Sequence, residues 1–282
     1  MNRERIETGI LRIGRMVVLV LFLVWVLFSF YWMIISSMRS LEDIMANPSN
    51  LLPDIRQLDF HSYYAVLFEH GFVQYISNSI YVTLVTVILS MILALLGAYA
   101  VTRLRFRAKR WMSAGILGLY MFPPIVLVIP LYVLFSRMGL RDSMNILILV
   151  YLAQTLPVSL YMLRNYFHSL PVELEYAGLT DGCSRIGVIW RIVIPLSLPA
   201  LTSVAIYTFM IAWNEFLFAF MFLDTPEKFT LSRGVVQLAG SVHLSKQLVM
   251  AASVIVTIPI LVLFILLERY LVKGLTAGAV KG

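Results

Sequence analysis

The chain has 282 residues, 60% of them hydrophobic and only 13% charged, with a formal net charge of +7 and a mean hydropathy of +0.88. Soluble domains run near 45–50% apolar and about 25% charged, so a water-soluble globular domain is excluded, and so is a disordered chain. A single cysteine excludes a disulfide scaffold.

Crossing a bilayer by helix takes about 20 apolar residues. Six stretches free of Asp, Glu, Lys and Arg are long enough: 16–38, 71–102, 111–136, 143–163, 192–214 and 247–267. In chain order, residues 1–15 form a tail carrying Arg3, Arg5, Arg12 and Arg15. The first span is too long for the apolar core of a cleaved leader and ends in Ser36-Ser37-Met38-Arg39 without an A-x-A site, so it reads as a retained helix. The loop 39–70, with Pro48, Asn50, Pro53 and Asp54, has room for a short surface helix at 60–68. Asn78 lies between Ser77 and Ser79 at the outer end of the second span.

The basic run Arg103, Arg105, Arg107, Lys109 and Arg110 follows that span and reads as an orienting signal rather than a nucleic-acid site. Pro123-Pro124 predicts a kink near mid-depth of the third span. In the fourth, Gln154 and Thr155 lie about ten residues before Arg164, hence roughly 15 Å deep, and Pro157 removes a backbone donor beside them. Gln154 either bonds a neighbouring helix or lines a path for a polar solute. Trp213-Asn214-Glu215 ends the fifth span at its outer rim, where Asn214 and Glu215 serve as a rim anchor or as the mouth of a pathway. A loop at 223–246, the sixth span and a short tail complete the chain.

With the N-terminus in the cytoplasm, fifteen of the 22 Lys and Arg residues fall on the cytoplasmic side, which predicts that both termini lie there. None of His61, His70, His168 and His243 falls in a span, and there is no H-E-x-x-H, nucleophile elbow or phosphate-binding glycine loop. No catalytic, metal or cofactor site is expected, and the chain does not read as an enzyme.

The segment 166–196 departs from this apolar monotony. Pro171 suits the first position of a helix capped by Ser169 or Leu170, with Glu173 and Glu175 near its positive end and a left-handed stop at Gly182. Ser184 caps a second helix on which Ile186, Ile189, Trp190 and Val193 form one apolar face. Pro195 and Pro199 then turn the chain into the fifth span. The expected hairpin exposes Glu175 and Asp181 around the small residues Ala177 and Gly178, the profile of a knob that fits another protein's groove.

The run Glu175-Tyr176-Ala177-Gly178-Leu179-Thr180-Asp181-Gly182, continued to Ile194-Pro195-Leu196 and Pro199, resembles the EAA loop of ATP-binding-cassette importer permeases: E-A-A, three residues, then G, with a later proline. Tyr176 stands where the central alanine is usual and Cys183 where an alanine often follows the glycine. The first outer loop, Trp213-Asn214-Glu215-Phe216 and the ending from Gly274 to Gly282 are similar to those of sugar-importer permeases, the ending to the second subunit of the maltose type. The resemblance implies an all-α polytopic membrane protein with six transmembrane helices, the type I ABC importer permease fold and a cytoplasmic coupling-helix hairpin. It divides the chain into a cytoplasmic tail (1–15), a first helix with its periplasmic loop (16–70), a core permease domain (71–272) containing the EAA loop (166–196), and a cytoplasmic tail (273–282).

Carried over, Glu175, Tyr176, Ala177, Asp181 and Gly182 dock an ATPase, while Asn78, Gln154, Thr155, Asn214 and Glu215 are candidates for the substrate pathway. The implied partners are a second permease subunit in a heterodimer, two ATP-binding-cassette ATPases, and a periplasmic or lipid-anchored solute-binding protein. The cargo is a sugar, a di- or oligosaccharide, carried across the inner membrane by alternating access. The absence of Lys and Arg from the spans favours a neutral solute. The alternatives are a permease for glycerol phosphate, polyamine or phosphate, or a self-sufficient secondary transporter; the latter needs broken helices and repeat symmetry.

Overall fold

A computed structural model describes residues 2–47, 50–53, 58–109, 111, 115, 118, 123–240 and 246–279. Among them there is no strand, and the ordered elements are helices. Helices α1 (Asn2–Met38), α2 (Leu41–Ala46) and α3 (His61–Tyr64) precede α4 (Phe72–Arg103), α5 (Pro124–Arg137) and α6 (Met144–Ser169). Then come α7 (Val172–Thr180), α8 (Arg185–Val188), α9 (Leu198–Asn214), α10 (Leu217–Phe222), α11 (Leu231–Gly240) and α12 (Lys246–Ala279).

Among the described residues, Leu11–Met38, Phe72–Arg103, Met144–Ser169 and Lys246–Glu268 are each long and apolar enough to cross a bilayer. The fifth expected span is split by an 81° bend between Arg185–Leu196 and Leu198–Asn214, where Pro195 and Pro199 deny the backbone two donors. Of the third, Pro124–Arg137 is helical, and much of 111–122 lies outside the described residues. Pro123 is extended (φ −64, ψ 123) and Pro124 begins α5. The proline pair thus starts α5, because a proline at the first position forfeits no hydrogen bond, and the residues just before it, on which the expected kink depends, lie outside the described residues.

Residues 1–71 and 235–257 form one compact unit. The side chains of α1 from Leu11 to Phe28 are exposed and largely apolar, as a lipid-facing helix requires. Just past the end of α1, Arg39 is buried with four of its five N–H donors paired: Nε donates to Asp43 Oδ2 at 2.6 Å, Nη2 to the Asp43 and Asn47 carbonyls at 3.1 and 2.7 Å, and Nη1 to the Asn50 carbonyl at 3.3 Å. One guanidinium therefore gathers the start of the loop. Helix α2, inside that loop, has no counterpart among the expected elements. Its signal is nonetheless local: Ser40 Oγ accepts from the Asp43 amide at 3.2 Å, and Glu42 and Asp43 occupy the first turn. Helix α3 continues through a π-turn, Ala65–Glu69, and covers the expected surface helix.

Residues 72–234 and 258–282 form the second unit. Its centre is α4 packed on α6, with α9 against both. Lipid supplies no hydrophobic force between helices, so small and hydroxyl side chains bring them together. A Cβ at Gly97 would lie 3.2 Å from Leu160 Cδ1. Ser90, Thr155, Ser159 and Thr208 are fully buried in a seam joining α4, α6 and α9. Ser90 and Ser159 are 3.3 Å apart, Thr155 and Ser90 3.4 Å, and Ser159 and Thr208 3.3 Å.

At one end of this unit Asp142 adopts φ 56, uncommon for a residue other than glycine. Its carboxylate accepts from the Asp224 and Thr225 amides at 3.0 and 3.1 Å, from the Thr225 hydroxyl, and from Lys228 Nζ at 2.7 Å. Burial alone would raise its pKa, but Lys228 and the Thr225 and Asp224 donors outweigh it and hold the carboxyl well below the usual range. A depressed folded pKa contributes stability that is full above the unfolded pKa near 4 and is lost as pH falls through the folded value. Asp142→Asn keeps the left-handed backbone accessible and removes the charge. At pH 7 it is expected to cost about 1–2 kcal/mol of local stability, read as faster hydrogen exchange at the Asp224 and Thr225 amides. The difference from wild type narrows once the pH drops below about 4.

Candidate functional site

Helices α7 and α8 form the expected hairpin. Pro171 is the N-cap of α7, with ψ 124, rather than its first helical residue, since a residue in that extended conformation can still start the helix that follows it. At the other end Gly182 takes φ 86, with the Cys183 amide on the Gly178 carbonyl at 3.0 Å and the Gly182 amide on the Leu179 carbonyl at 3.1 Å. This left-handed termination is cheap for glycine. Ser184 Oγ then accepts from the Gly187 amide at 3.1 Å and caps α8.

The inner face of the hairpin belongs to the same core as the membrane helices. Val188, Ile189 and Val193 are buried with Ala98 and Tyr99 of α4 and Leu163 and Phe167 of α6. Burying each aliphatic side chain is worth about 1.5–3 kcal/mol. Gly178 faces this core, and a Cβ there would sit 2.5 Å from Ile192 Cδ1. The expected single apolar face of α8 is split: Ile189 and Val193 are buried, whereas Ile186 and Trp190 are 69% and 67% exposed. The split follows two neighbouring i, i+4 rows, Ile186 with Trp190 facing out and Ile189 with Val193 facing in, and a π-turn, Ile189–Val193, starts at the inward row.

Glu175 corrects a second expectation. It is not exposed; it is 7% accessible, and Arg103 Nε donates to its Oε1 at 2.6 Å. Arg103 Nη2 also donates to the Leu170 carbonyl at 3.1 Å. Glu175 and Gly178, three residues apart, share the inward face of α7. Tyr176, Ala177, Thr180, Asp181 and Gly182 are exposed, with Tyr176 at 66%. Counting the E-A-A-x-x-x-G spacing back from Gly182 also lands on Tyr176 and not on Glu175. Tyrosine therefore stands in the place of the motif's glutamate, and Glu175 is the residue before it, turned inward as a strut.

The five pathway candidates do not form one cluster of free polar groups. Asn78 is buried, and its Nδ2 donates to the Glu227 and Phe229 carbonyls at 2.8 and 3.0 Å, clamping the loop before α11. Thr155 belongs to the buried hydroxyl seam and donates to the Tyr151 carbonyl at 2.8 Å. The Glu215 carboxylate accepts from the Phe218 and Ala219 amides at 2.9 and 3.2 Å and from the Tyr151 hydroxyl at 2.8 Å, which caps α10. Asn214 is exposed and donates to the Met210 carbonyl at 2.9 Å. Gln154 is half-buried, with no hydrogen bond from its amide among the described residues. The clamp formed by Asn78 joins residues some 150 positions apart, and sequence spacing carries no trace of it.

Residues 86–277 match the family described as "Binding-protein-dependent transport system inner membrane component". The chain belongs to that family. The permease is 38% identical over 274 residues to the "Inner membrane ABC transporter permease protein YcjP" of Escherichia coli strain K12, covering 96% of this chain and 97% of that protein. It is 36% identical over 286 residues to the "Trehalose/maltose transport system permease protein MalG" of Thermococcus litoralis, covering the whole of both. Its fold matches a chain of a solved bacterial ABC transporter involved in import of the acidic polysaccharide alginate, with a TM-score of 0.82, 23% identity and coverage of 94% of this chain and 97% of that one. The permease is thus an all-helical, multi-pass inner-membrane protein of the type I ABC importer fold. It is a transport component, and its family implies an ATPase and a solute-binding protein as partners.

Proposed function

We propose that the permease carries a sugar, a di- or oligosaccharide, across the cytoplasmic membrane by alternating access, as one half of a heterodimeric pathway served by two ATPases and an external solute-binding protein. The observation that carries this reading is the α7–α8 hairpin: an exposed face of Tyr176, Ala177, Asp181 and Gly182 backed by side chains of the helical core. Those four residues meet the ATPase, and Glu175 positions them from within. The basic end that holds the hairpin then faces the cytoplasm, together with both termini.

Sugar as cargo is supported by the trehalose/maltose relative and by six apolar stretches free of Lys and Arg. In the pathway, Gln154 and Asn214 offer polar groups, while Asn78, Thr155 and Glu215 fix the walls around them. Residues 1–15, 16–70, 71–272 and 273–282 act as tail, accessory helix with outer loop, core and tail.

Reconstitution of the full complex in proteoliposomes tests the reading. Labelled trehalose or maltose is expected to accumulate only with ATP and binding protein present, and Tyr176→Ala is expected to lower ATPase co-purification about tenfold or more, as truncation of a central aromatic contact does. Uptake by this chain alone without ATP would establish a secondary transporter instead. Uptake of glycerol phosphate or a polyamine in place of sugar would reassign the cargo.

A further inference from the structure

Between α7 and the last turn of α4 lies a cavity of about 460 Å³. Arg103, Arg105, Lys109 and Arg185 line it against a single carboxylate, Glu175. Only Arg103 is neutralised, by that carboxylate at 2.6 Å. Lys109 Nζ reaches no more than the Thr102 carbonyl, at 3.2 Å, and Arg105 and Arg185 have no acidic partner among the described residues. Three cations therefore face one concave space without a counter-charge.

A concave wall of one sign focuses potential on its interior, and guanidinium forks match phosphate oxygens two at a time. The position of the cavity selects the source of that phosphate. Leu89, Leu96 and Arg103 recur every seven residues and so share one face of α4, with Leu89 and Leu96 exposed. Leu96 lies about 10 Å along the axis from Arg103. Acyl chains lying against this leucine strip bring their headgroup to the level of the cavity.

We infer that the cavity is a binding site for the phosphate of an anionic phospholipid headgroup, held by Arg105, Lys109 and Arg185 beside the Arg103–Glu175 pair. The lipid then seals the joint between the membrane helix and the hairpin. This goes beyond the transport reading and stands whatever the cargo is.

The test uses the full-length permease in its complex, in phosphatidylcholine nanodiscs with a minor fraction of phosphatidylglycerol, with retained lipid counted by native mass spectrometry. Wild type is expected to retain phosphatidylglycerol in preference to phosphatidylcholine. The Arg105→Gln/Lys109→Gln variant is expected to lose that preference on the order of 20-fold, since each cation near an anionic headgroup is worth about a factor of five. Arg105→Lys keeps the charge and most of the preference, and Arg105→Gln alone, at an exposed side chain, keeps the test valid if the double variant assembles poorly. Equal retention by wild type and variants overturns the proposal. Protection of the cavity by inorganic phosphate with no lipid retained overturns it in favour of a soluble anion. Retention by the permease pair purified without its ATPases but not by the full complex overturns it in favour of ATPase carboxylates.

Discussion

Glu175→Arg is expected to detach the hairpin from α4 and abolish ATP-driven uptake, and the exchange Arg103→Glu with Glu175→Arg is expected to restore part of both. The pair is largely buried, with side-chain exposures of 11% and 9%. Leaving one such charge without its partner costs about 3–5 kcal/mol, more than any one aliphatic contact holding the hairpin. The single variant places two guanidinium groups in contact and adds repulsion to that loss. Insertion into the membrane should be unaffected, because the pair lies at the end of α4 and not within the apolar stretch that inserts. Hydrogen exchange across 172–193 reads the detachment, and ATPase co-purification and uptake read its consequence. Rescue by the exchange discriminates between two roles for Glu175. A strut works with either polarity, whereas a carboxylate that touched the ATPase directly would not be replaced by arginine. Failure of the exchange to restore anything, with the hairpin protected, would overturn the strut.

Gly234→Ala is expected to be the most damaging single-methyl addition described here. A Cβ at that position would lie 2.4 and 2.8 Å from Cδ2 and Cε2 of Tyr75. The Tyr75 ring is buried and is held between Phe72 and Phe229, at centroid distances of 5.3 and 5.9 Å. A rigid ring so confined cannot swing aside, so the helix must shift, at about 1–3 kcal/mol or more for the overpacking. Gly178→Ala provides the contrast. Its nearest obstacle is the terminal methyl of Ile192 at 2.5 Å, the free end of a side chain that can rotate, and its effect should be smaller. The mechanism is checked by Tyr75→Leu, which removes the ring atoms in the way. Thermal unfolding of the double variant should show less than the sum of the two single losses. Strict additivity would mean that the ring is not the obstacle.

Much of this architecture was legible in the sequence because its causes are local. Apolar runs, the proline pair 195 and 199, a glycine forced left-handed at 182 and a serine cap at 184 all act within a few residues of themselves, and the structure has each of these features. The inward turn of Glu175 was not legible. Its partner lies 72 residues earlier, at the end of another helix, and nothing along the chain joins them. Nor could spacing alone show Asn78 as a loop clamp or which of the rows Ile186–Trp190 and Ile189–Val193 turns inward, since both depend on what neighbouring elements press against. The motif register illustrates the same limit. Asp181 and Gly182 keep the motif's spacing, but placing its glutamate at 175 rather than one residue later gives that role to a side chain that the packing directs inward.

The burial of Val188, Ile189 and Val193 among Tyr99, Leu163 and Phe167 bears on how force travels. A close-packed interior has low compressibility, so this side of the hairpin has almost no give of its own relative to α4 and α6. A push on α7 therefore reaches those helices through the packed 188–193 side of the hairpin, while the cavity beside Arg103 leaves its other side room to yield. The hairpin is stiff along one edge and soft along the other.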